Sequence, residues 1–243
     1  MTRATLLLAT FNRNDLLGVC LPSVTRFNND LEILVLNDGD DDPETKSICD
    51  DNGVTYVWTG RGKPDKQHWR VPGFAWNIGA KLATSPILII SCAEIWHVDN
   101  CVDTIVSTVE NNRLAVGCPT GRYDDGSFIE NGDYDALTGN LPTRMCYLQA
   151  VSKHVFYAVG GFDETFTGVT GDDNDYRDRL VRYGCALTYR AVRCVHMYHP
   201  PLVPTAEFKE RKAYNCRLLD KNRRTGVVVV NKDIDWGAYN AAR

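Results

Sequence analysis

The 243-residue sequence lacks the features that define several large protein classes. No apolar run reaches the roughly 20 residues that a membrane-spanning helix needs. The N-terminus enters an apolar stretch at Leu6 without the cleavage pattern of a signal peptide, which predicts a first core strand. Lys and Arg number 27 against 31 Asp and Glu, so bulk charge does not indicate a nucleic-acid partner. These absences favour a globular cytoplasmic protein.

The cysteines lack the spacing of a metal site or a redox motif. There are nine of them, an odd number, and no two form a Cys-x-x-Cys pair. Several, such as Cys20 and Cys118, stand among apolar neighbours. Buried reduced thiols in a cytosolic protein fit this pattern best, and a zinc site is disfavoured.

Two phosphate-binding motifs are also missing. No Gly-x-Gly-x-x-Gly follows the first apolar run, and no Gly-Lys-Ser/Thr loop occurs. The first absence disfavours a dinucleotide fold of the usual kind. A nucleotidyltransferase with a similar sheet would need a glycine-rich phosphate loop near the N-terminus. The sequence has no such loop, which disfavours that class of enzyme.

The first half of the chain alternates short, continuously apolar runs with helical segments. Such runs are typical of parallel strands that are covered on both faces, so the pattern predicts an α/β fold. Strands are predicted over 4–9, 31–36, 54–58 and 87–90, and helices over 16–27, 43–51 and 73–83.

Ligands of such sheets bind beyond the carboxyl ends of the strands. The segments at those ends should therefore converge on one crevice. They are Thr10–Arg13, Asn37–Asp40, Gly60–Lys63 and Ser91–Glu94.

The second half is less regular. A long Gly-, Asp- and Asn-rich stretch, 120–142, is interpreted as a surface loop. Around it we predict helices over 95–112, 153–159 and 207–223 and strands over 114–118, 145–151, 185–189 and 191–196, with a late strand or docking segment at 226–231.

One helix stands out because Asp172, Asp173 and Asp175 crowd its first turn, after several glycines. A carboxylate there can act as a general base while a second acid orients the hydroxyl. The alternative is a capped, solvated surface helix, since acids are ordinary at a helix N-terminus. Ion pairs four residues apart, Asp175–Arg179 and Asp178–Arg182, are predicted on its solvent side, with Tyr176, Leu180 and Val181 buried.

Five motifs in order resemble the inverting glycosyltransferases of family 2, which have the GT-A fold. The resemblance covers roughly residues 4–199, and the tail from about Pro200 has no counterpart. The motifs are Leu8-Ala-Thr-Phe-Asn-Arg, Leu36-Asn-Asp-Gly, Ala75-Trp-Asn-Ile-Gly, Gly160-Gly-Phe-Asp-Glu and Asp172-Asp-Asn-Asp.

The resemblance implies transfer of a sugar from a nucleotide diphosphate donor, commonly UDP-linked, to an acceptor such as a glycan hydroxyl. It makes Asp173 the general base and Asp172 its partner. Lys63, with Arg61, would hold the leaving diphosphate on a loop after the third strand. The positions implied for nucleotide binding are Thr10, Phe11, Arg13, Asp38, Gly39, Lys63, Asn77 and Gly79.

Two departures from the family pattern affect the diphosphate site. Trp76 stands where the family usually has arginine, and Arg70, Lys63 or Lys81 would have to replace that cation. Ser91-Cys92-Ala93 stands where the family has a metal-binding Asp-x-Asp. We expect Mn²⁺ or Mg²⁺ to be bound by Glu94, with His196 or His199 as a second ligand, because these ions prefer oxygen donors and histidine suits manganese. The alternative is that Glu94 caps a helix and His196 ends a strand.

Acceptor contacts are sought among aromatic residues, because sugars stack on apolar faces. Trp96, Tyr123 and Phe166 are the candidates, beside Tyr134 and Tyr198, although each can instead be a packing residue. Acceptor specificity is expected in the 120–142 loop.

The predicted domain spans 1–200, with a nucleotide-binding half at about 1–95 and an acceptor half at about 96–200. A helical extension, 201–243, is expected to pack on it. Basic residues in this extension are interpreted as a solvated helix face, so a nucleic-acid or glycolipid acceptor is disfavoured. Two functions remain: an active transferase, or a nucleotide- or sugar-binding module that has lost the chemistry with its Asp-x-Asp.

Overall fold

Four apolar runs of the N-terminal half form adjacent parallel strands. The computed structural model describes residues 2–27, 30–61, 71–141, 147–200 and 205–238, so Lys63 and Arg70 lie outside the described residues. In this half the strands are β1 Thr5–Thr10, β2 Glu32–Asn37, β3 Thr55–Trp58 and β4 Ile87–Cys92. The helices between them are α1 Asn14–Thr25, α2 Pro43–Asp51 and α3 Gly73–Leu82.

The remaining strands and helices are shorter and less regular. The strands are β5 Ile95–His97, β6 Ala115–Pro119, β7 Arg122–Tyr123, β8 Gly139–Asn140, β9 Leu148–Ser152, β10 Ala186–Arg190 and β11 Cys194–His196. The helices are α4 Cys101–Asn111, α5 Ser127–Asn131, α6 Lys153–Ala158, α7 Asp172–Tyr183 and α8 Ala206–Thr225.

The central sheet has seven strands in the order β10-β6-β9-β4-β1-β2-β3. Strands β3, β2, β1 and β4 run parallel, and their register pairs Thr10 with Asn37, Asn37 with Trp58, and Ala9 with Cys92. The carboxyl ends of these strands therefore lie at one edge. Strand β9 is antiparallel to both β4 and β6, and a smaller sheet has the order β5-β11-β7-β8.

Both faces of the central sheet are buried, which explains the continuous apolar runs. Leu6 and Leu8 point into one apolar cluster with residues of α1 and α4. Leu7 and Ala9 point into a second cluster with residues of α3, α6 and α7. Alternate residues of a strand face opposite sides of a sheet, so each must be apolar here.

The structure differs from the sequence predictions in two segments and decides between two alternatives in a third. Residues 95–97 form strand β5, and the helix predicted from 95 begins only at Cys101. The 120–142 segment contains β7, α5 and β8 rather than a plain loop. Residues 226–231 form no strand but dock, since the Val230 N–H donates to the Val159 carbonyl. None of the helices in the described ranges has the length and apolar character needed to cross a bilayer.

Candidate active site

A cavity of about 560 Å³ lies at the carboxyl edge of the central sheet. The ends of β1, β2 and β4 contribute to its wall, as their topology predicts. These strand-end residues are Ala9, Thr10, Phe11, Arg13, Asp38, Cys92 and Glu94. Three of the four segments expected to converge therefore do so. Of the fourth, Gly60 and Arg61 are not in the wall, and Lys63 lies outside the described residues.

The nucleotide candidates Thr10 and Asp38 are buried in this wall at 5% and 3% exposure. The hydroxyl of Thr10 finds no hydrogen-bond partner among the described residues. The Asp38 carboxylate accepts from the Thr59 hydroxyl at 2.6 Å and from Arg61 Nε at 3.0 Å and Nη2 at 2.6 Å. These hydrogen bonds fix the orientation of the Asp38 carboxylate, which can accept a further hydrogen bond from a ligand. Arg61 donates to Asp38 and does not extend toward a diphosphate.

Gly39 permits a tight approach between the ends of β1 and β2. A Cβ at this position would lie 2.0 Å from the Asn12 side-chain oxygen. That oxygen accepts from the Asp40 backbone N–H at 3.0 Å, which fastens the two turns together. Gly39 therefore shapes the cavity through the backbone of its turn.

Helix α7 places two acids, Asp172 and Asp173, at the cavity. The helix begins after Gly171, whose φ of +97° few other residues tolerate. Asp172 is 5% exposed, and its Oδ2 atom has no hydrogen-bond partner among the described residues. Burial, with the charge of Asp173, raises the pKa of Asp172 well above its usual range. Burial also raises the pKa of Asp173, against the hydrogen bonds it accepts from Asn174.

The rest of α7 corrects the predicted ion pairs. Asp175 and Arg179 pair at 2.6 Å as expected, but both are buried, and Arg179 also donates to the Val159 carbonyl at 2.8 Å. Asp178 pairs with Arg223 of α8 at 2.7 Å, whereas Arg182 donates to the Val227 carbonyl.

Burial along α7 also departs from the prediction at one position. Tyr176 and Leu180 are buried as predicted, whereas Val181 is 51% exposed. The buried Asp175–Arg179 pair therefore faces the core beside Tyr176, and the exposed surface of α7 includes Val181.

The candidate metal ligands Glu94 and His196 line the same cavity. Glu94 lies 3.3 Å from Arg13 Nε. His196 Nδ1 is 3.1 Å from the Met197 carbonyl, so Nδ1 carries the proton and Nε2 keeps its lone pair. Burial lowers the pKa of His196 to about 4, although the Glu94 charge acts in the opposite direction. Within the described ranges, no three His, Cys, Asp or Glu side chains form a group that could hold a metal ion.

Two tyrosine rings, those of Tyr123 and Tyr147, lie against the His196 ring. The Tyr123 and Tyr147 hydroxyls are 2.5 Å apart, and the rings lie 5.0 Å and 4.7 Å from that of His196. The His199 ring is 5.4 Å from His196, and its Nδ1 faces the Pro200 carbonyl. Tyr123 is therefore the acceptor candidate that the structure brings into the cavity wall, together with Tyr198.

The nucleotide candidates Asn77 and Gly79 are not in the cavity wall. Asn77 is fully buried, and its amide donates to the Phe162 carbonyl and accepts from the Phe162 N–H. Gly79 packs α3 on the sheet, because a Cβ there would lie 2.6 Å from Leu36 and 2.9 Å from Leu7. These contacts hold elements together rather than reaching a ligand.

The three remaining aromatic candidates, Trp96, Tyr134 and Phe166, pack inside the protein. Tyr134 is 8% exposed and lies in one apolar cluster with Phe128, against which Trp96 also packs. Trp96 packs edge-on against Phe128, with ring centroids 5.7 Å apart. Phe166 is 4% exposed beneath Gly171.

The structure adds residues that no motif indicates. Phe208 and Lys212 of α8 line the cavity, although they lie far along the chain from the strand ends. Tyr147, which lies within the predicted strand 145–151 and directly before β9, also lines the cavity. Phe208 and Lys212 are four residues apart and therefore lie on one face of α8. Nothing in the sequence indicates that this face meets the cavity.

Comparison with known proteins agrees with this architecture. The family model described as "Glycosyl transferase family 2" matches residues 5–163. Comparison with curated protein sequences gave no match.

Two solved structures share the fold. One is GalNAc-T7 in a crystal structure with UDP, GalNAc and Mn²⁺, with a TM-score of 0.64 and 14% identity. The structural match covers 94% of this chain and 55% of the GalNAc-T7 chain, so this chain spans about half the length of that one. The other is glucosyl-3-phosphoglycerate synthase from Mycobacterium tuberculosis in complex with Mn²⁺, UDP and glucosyl-3-phosphoglycerate, with a TM-score of 0.59 and 14% identity. The structural match covers 95% of this chain and 82% of the synthase chain. Both are GT-A glycosyltransferases, and the chain has the GT-A fold.

Proposed function

This chain belongs to glycosyl transferase family 2, and we propose that it transfers a hexosyl group from a UDP-sugar to an acceptor hydroxyl with inversion. The observation that carries the proposal is the meeting of two groups of residues in one cavity. The strand-end residues expected to hold a nucleotide and the acid pair of α7 line the same 560 Å³ space. A binding module needs the first group but has no use for the second.

The donor side is assigned to the ends of β1 and β2. Thr10 offers a buried hydroxyl without a partner among the described residues, and Asp38 offers an oriented carboxylate that can accept from a base N–H. Arg13 supplies a cation in the cavity wall for the diphosphate. The two solved relatives hold UDP, which supports this class of donor.

The acid pair supplies the proton chemistry. Asp173 takes the proton of the acceptor hydroxyl as that oxygen attacks the anomeric carbon, opposite the departing diphosphate. Asp172, more deeply buried and with a pKa raised by burial and by its neighbour, orients the hydroxyl. A base of this kind contributes on the order of 10²–10⁴-fold to the rate.

Glu94 and His196 would hold a divalent cation, and such an ion would need further ligands from the substrate or from water. Magnesium is usually bound through one or two carboxylates plus substrate phosphates. The His196 N–H on Nδ1 faces a carbonyl, the usual arrangement for a ligating histidine that binds through Nε2. When bound, such an ion would neutralise charge that develops on the leaving diphosphate.

A non-catalytic sugar- or nucleotide-binding function is the second candidate. It is favoured by Ser91-Cys92-Ala93 at the position of the Asp-x-Asp and by the Arg13 pairing of Glu94. This candidate predicts nucleotide binding without turnover.

The test is the release of nucleoside diphosphate from a panel of nucleotide sugars, with water or a sugar acceptor. We expect one donor to be turned over by the wild type and Asp173→Asn to lose about 10²–10⁴-fold in rate while still binding the donor. Asp178→Asn is the matched control, since Asp178 lies on the same helix and pairs with Arg223 outside the cavity. Equal rates for Asp173→Asn and the wild type would remove Asp173 from the mechanism.

A further inference from the structure

The acid pair is preceded by a backbone segment that needs support. In residues 168–171 the φ angles of Gly168, Thr170 and Gly171 are +75°, +69° and +97°. Glycine adopts this region freely, but a β-branched residue such as Thr170 does so only where its surroundings hold it. The same segment contributes Val169 and Thr170 to the cavity wall directly before the acids.

Helix α8 provides that support through Asn215. This residue is fully buried, and its side-chain amide donates to the Val169 carbonyl at 2.9 Å and to the Thr170 carbonyl at 2.8 Å. Its side-chain oxygen accepts from the Thr167 N–H at 3.2 Å. One side chain thus satisfies three backbone groups of the segment that leads into α7.

A second asparagine, two turns further along α8, joins the same helix to α7. Asn222 donates to Asp175 at 2.9 Å and to Asp163 at 3.3 Å. One turn before Asn215, α8 lies so close to the segment that a Cβ on Gly168 would be 2.6 Å from the Arg211 side chain. The segment 167–171 is therefore bound to α8, which continues on the same face to Phe208 and Lys212 in the cavity.

We propose that Asn215 is a positioning residue for the acid pair, and that α8 is a part of the active site although it lies beyond the residues that the family model matches. The inference rests on the proposed function, because it assigns Asn215 a role through Asp172 and Asp173. Without the three hydrogen bonds, Thr170 can leave the left-handed region and carry the start of α7 with it. We expect the change to affect proton transfer more than donor binding, because the donor residues Thr10, Arg13 and Asp38 belong to the ends of β1 and β2 and make none of these three hydrogen bonds.

The experiment compares Asn215→Ala with Arg217→Ala, an exposed position on the same helix. We expect Asn215→Ala to lower kcat at least tenfold per folded molecule, to leave the donor KM within twofold, and to shift the acid limb of the pH–rate profile. Amide hydrogen exchange of 167–175 should accelerate in Asn215→Ala and stay unchanged in Arg217→Ala. Asn215→Ser keeps a short donor and should give the same pattern more weakly if the alanine variant does not fold.

The outcomes separate this inference from the proposed function. A wild type that turns over no donor overturns the proposed function itself. A wild type that is active, with kcat for Asn215→Ala within twofold of it, leaves that function standing and overturns the positioning role, even if the variant melts earlier. Unchanged hydrogen exchange across 167–175 would show that Asn215 does not hold the segment.

Discussion

The acids of α7 illustrate how burial sets the chemistry of single residues. Asp175, buried beside Arg179, has a cation as its partner, whereas Asp172 is buried with one carboxylate oxygen unpartnered among the described residues. An unpaired buried carboxylate resists ionisation, which raises its pKa. The sequence places these acids in one helical turn but does not distinguish their environments.

The raised pKa of Asp173 predicts the position of the acid limb in the pH dependence of transfer. The base acts when deprotonated, so activity rises with pH as Asp173 loses its proton. Because burial raises the Asp173 pKa, we expect this limb above pH 4, the usual range for aspartate. The measurement is a pH–rate profile of kcat/KM, and a limb at or below pH 4 would contradict the assignment.

His97 predicts a loss of stability in mild acid. It is fully buried with neither ring nitrogen partnered among the described residues, and burial, with the nearby Arg26 charge, lowers its pKa to about 4. Between about pH 6.5 and 4 the unfolded chain binds a proton at this residue and the folded chain does not. The free energy of unfolding should therefore fall as the pH is lowered through this window.

Urea denaturation at several pH values measures this effect. His97→Leu should make the dependence shallower, though not flat, because the His196 pKa is lowered to about 4 as well. His154→Gln is the control, since His154 is exposed. A slope that is identical in His97→Leu and the wild type would refute the explanation.

At the scale of elements, the sequence predicts strands that are buried on both faces and misses those formed by distant contacts. Strands β1, β2 and β4 are continuous apolar runs, because each packs against apolar side chains on both faces of the sheet. Strands β5, β7 and β8 have only two or three residues, and their pairing in the small sheet depends on partners far along the chain. No local pattern carries that information.

The candidate site divides in the same way. Its strand ends and its acid pair are predictable, since topology and first-turn acids are local features. The Asn215 contacts and the cavity face of α8 are not, because both depend on where a distant helix docks. Asn77 and Gly79 show the converse, since a motif position can serve packing.

Gly79 gives a test of that packing role. A Cβ there would lie within 3 Å of Leu36 and Leu7, so Gly79→Ala should overpack the contact between α3 and the sheet and destabilise the protein by about 1–3 kcal/mol. Nucleotide affinity per folded molecule should stay unchanged. Gly18→Ala is the matched control, because Gly18 is exposed within α1 and its nearest contact is 4.0 Å away. That change should stabilise the protein by up to about 1 kcal/mol.

Chemical denaturation and a nucleotide titration of both variants measure these effects. A Gly79→Ala protein of normal stability with weakened nucleotide affinity would return Gly79 to the binding site.

At the scale of the whole molecule, the cavity is built from residues that lie far apart along the chain, so it forms only in the folded protein. Its wall runs from Ala9 in the first strand to Lys212 in the last helix. A ligand of this cavity should bind the folded chain and not the unfolded one. Binding of that kind stabilises the fold by RT ln(1 + [L]/Kd), about 2.7 kcal/mol at a hundredfold excess over Kd.

The most direct measurement is a thermal-denaturation titration with UDP, GDP, CDP and TDP, each with and without Mn²⁺. We predict that UDP raises the melting temperature, and that Mn²⁺ enlarges the shift through Glu94 and His196. A UDP shift indifferent to Mn²⁺ would contradict the metal site and leave the donor site in place. No shift with any of the four nucleotides would contradict the central claim that this cavity binds a nucleotide-sugar donor.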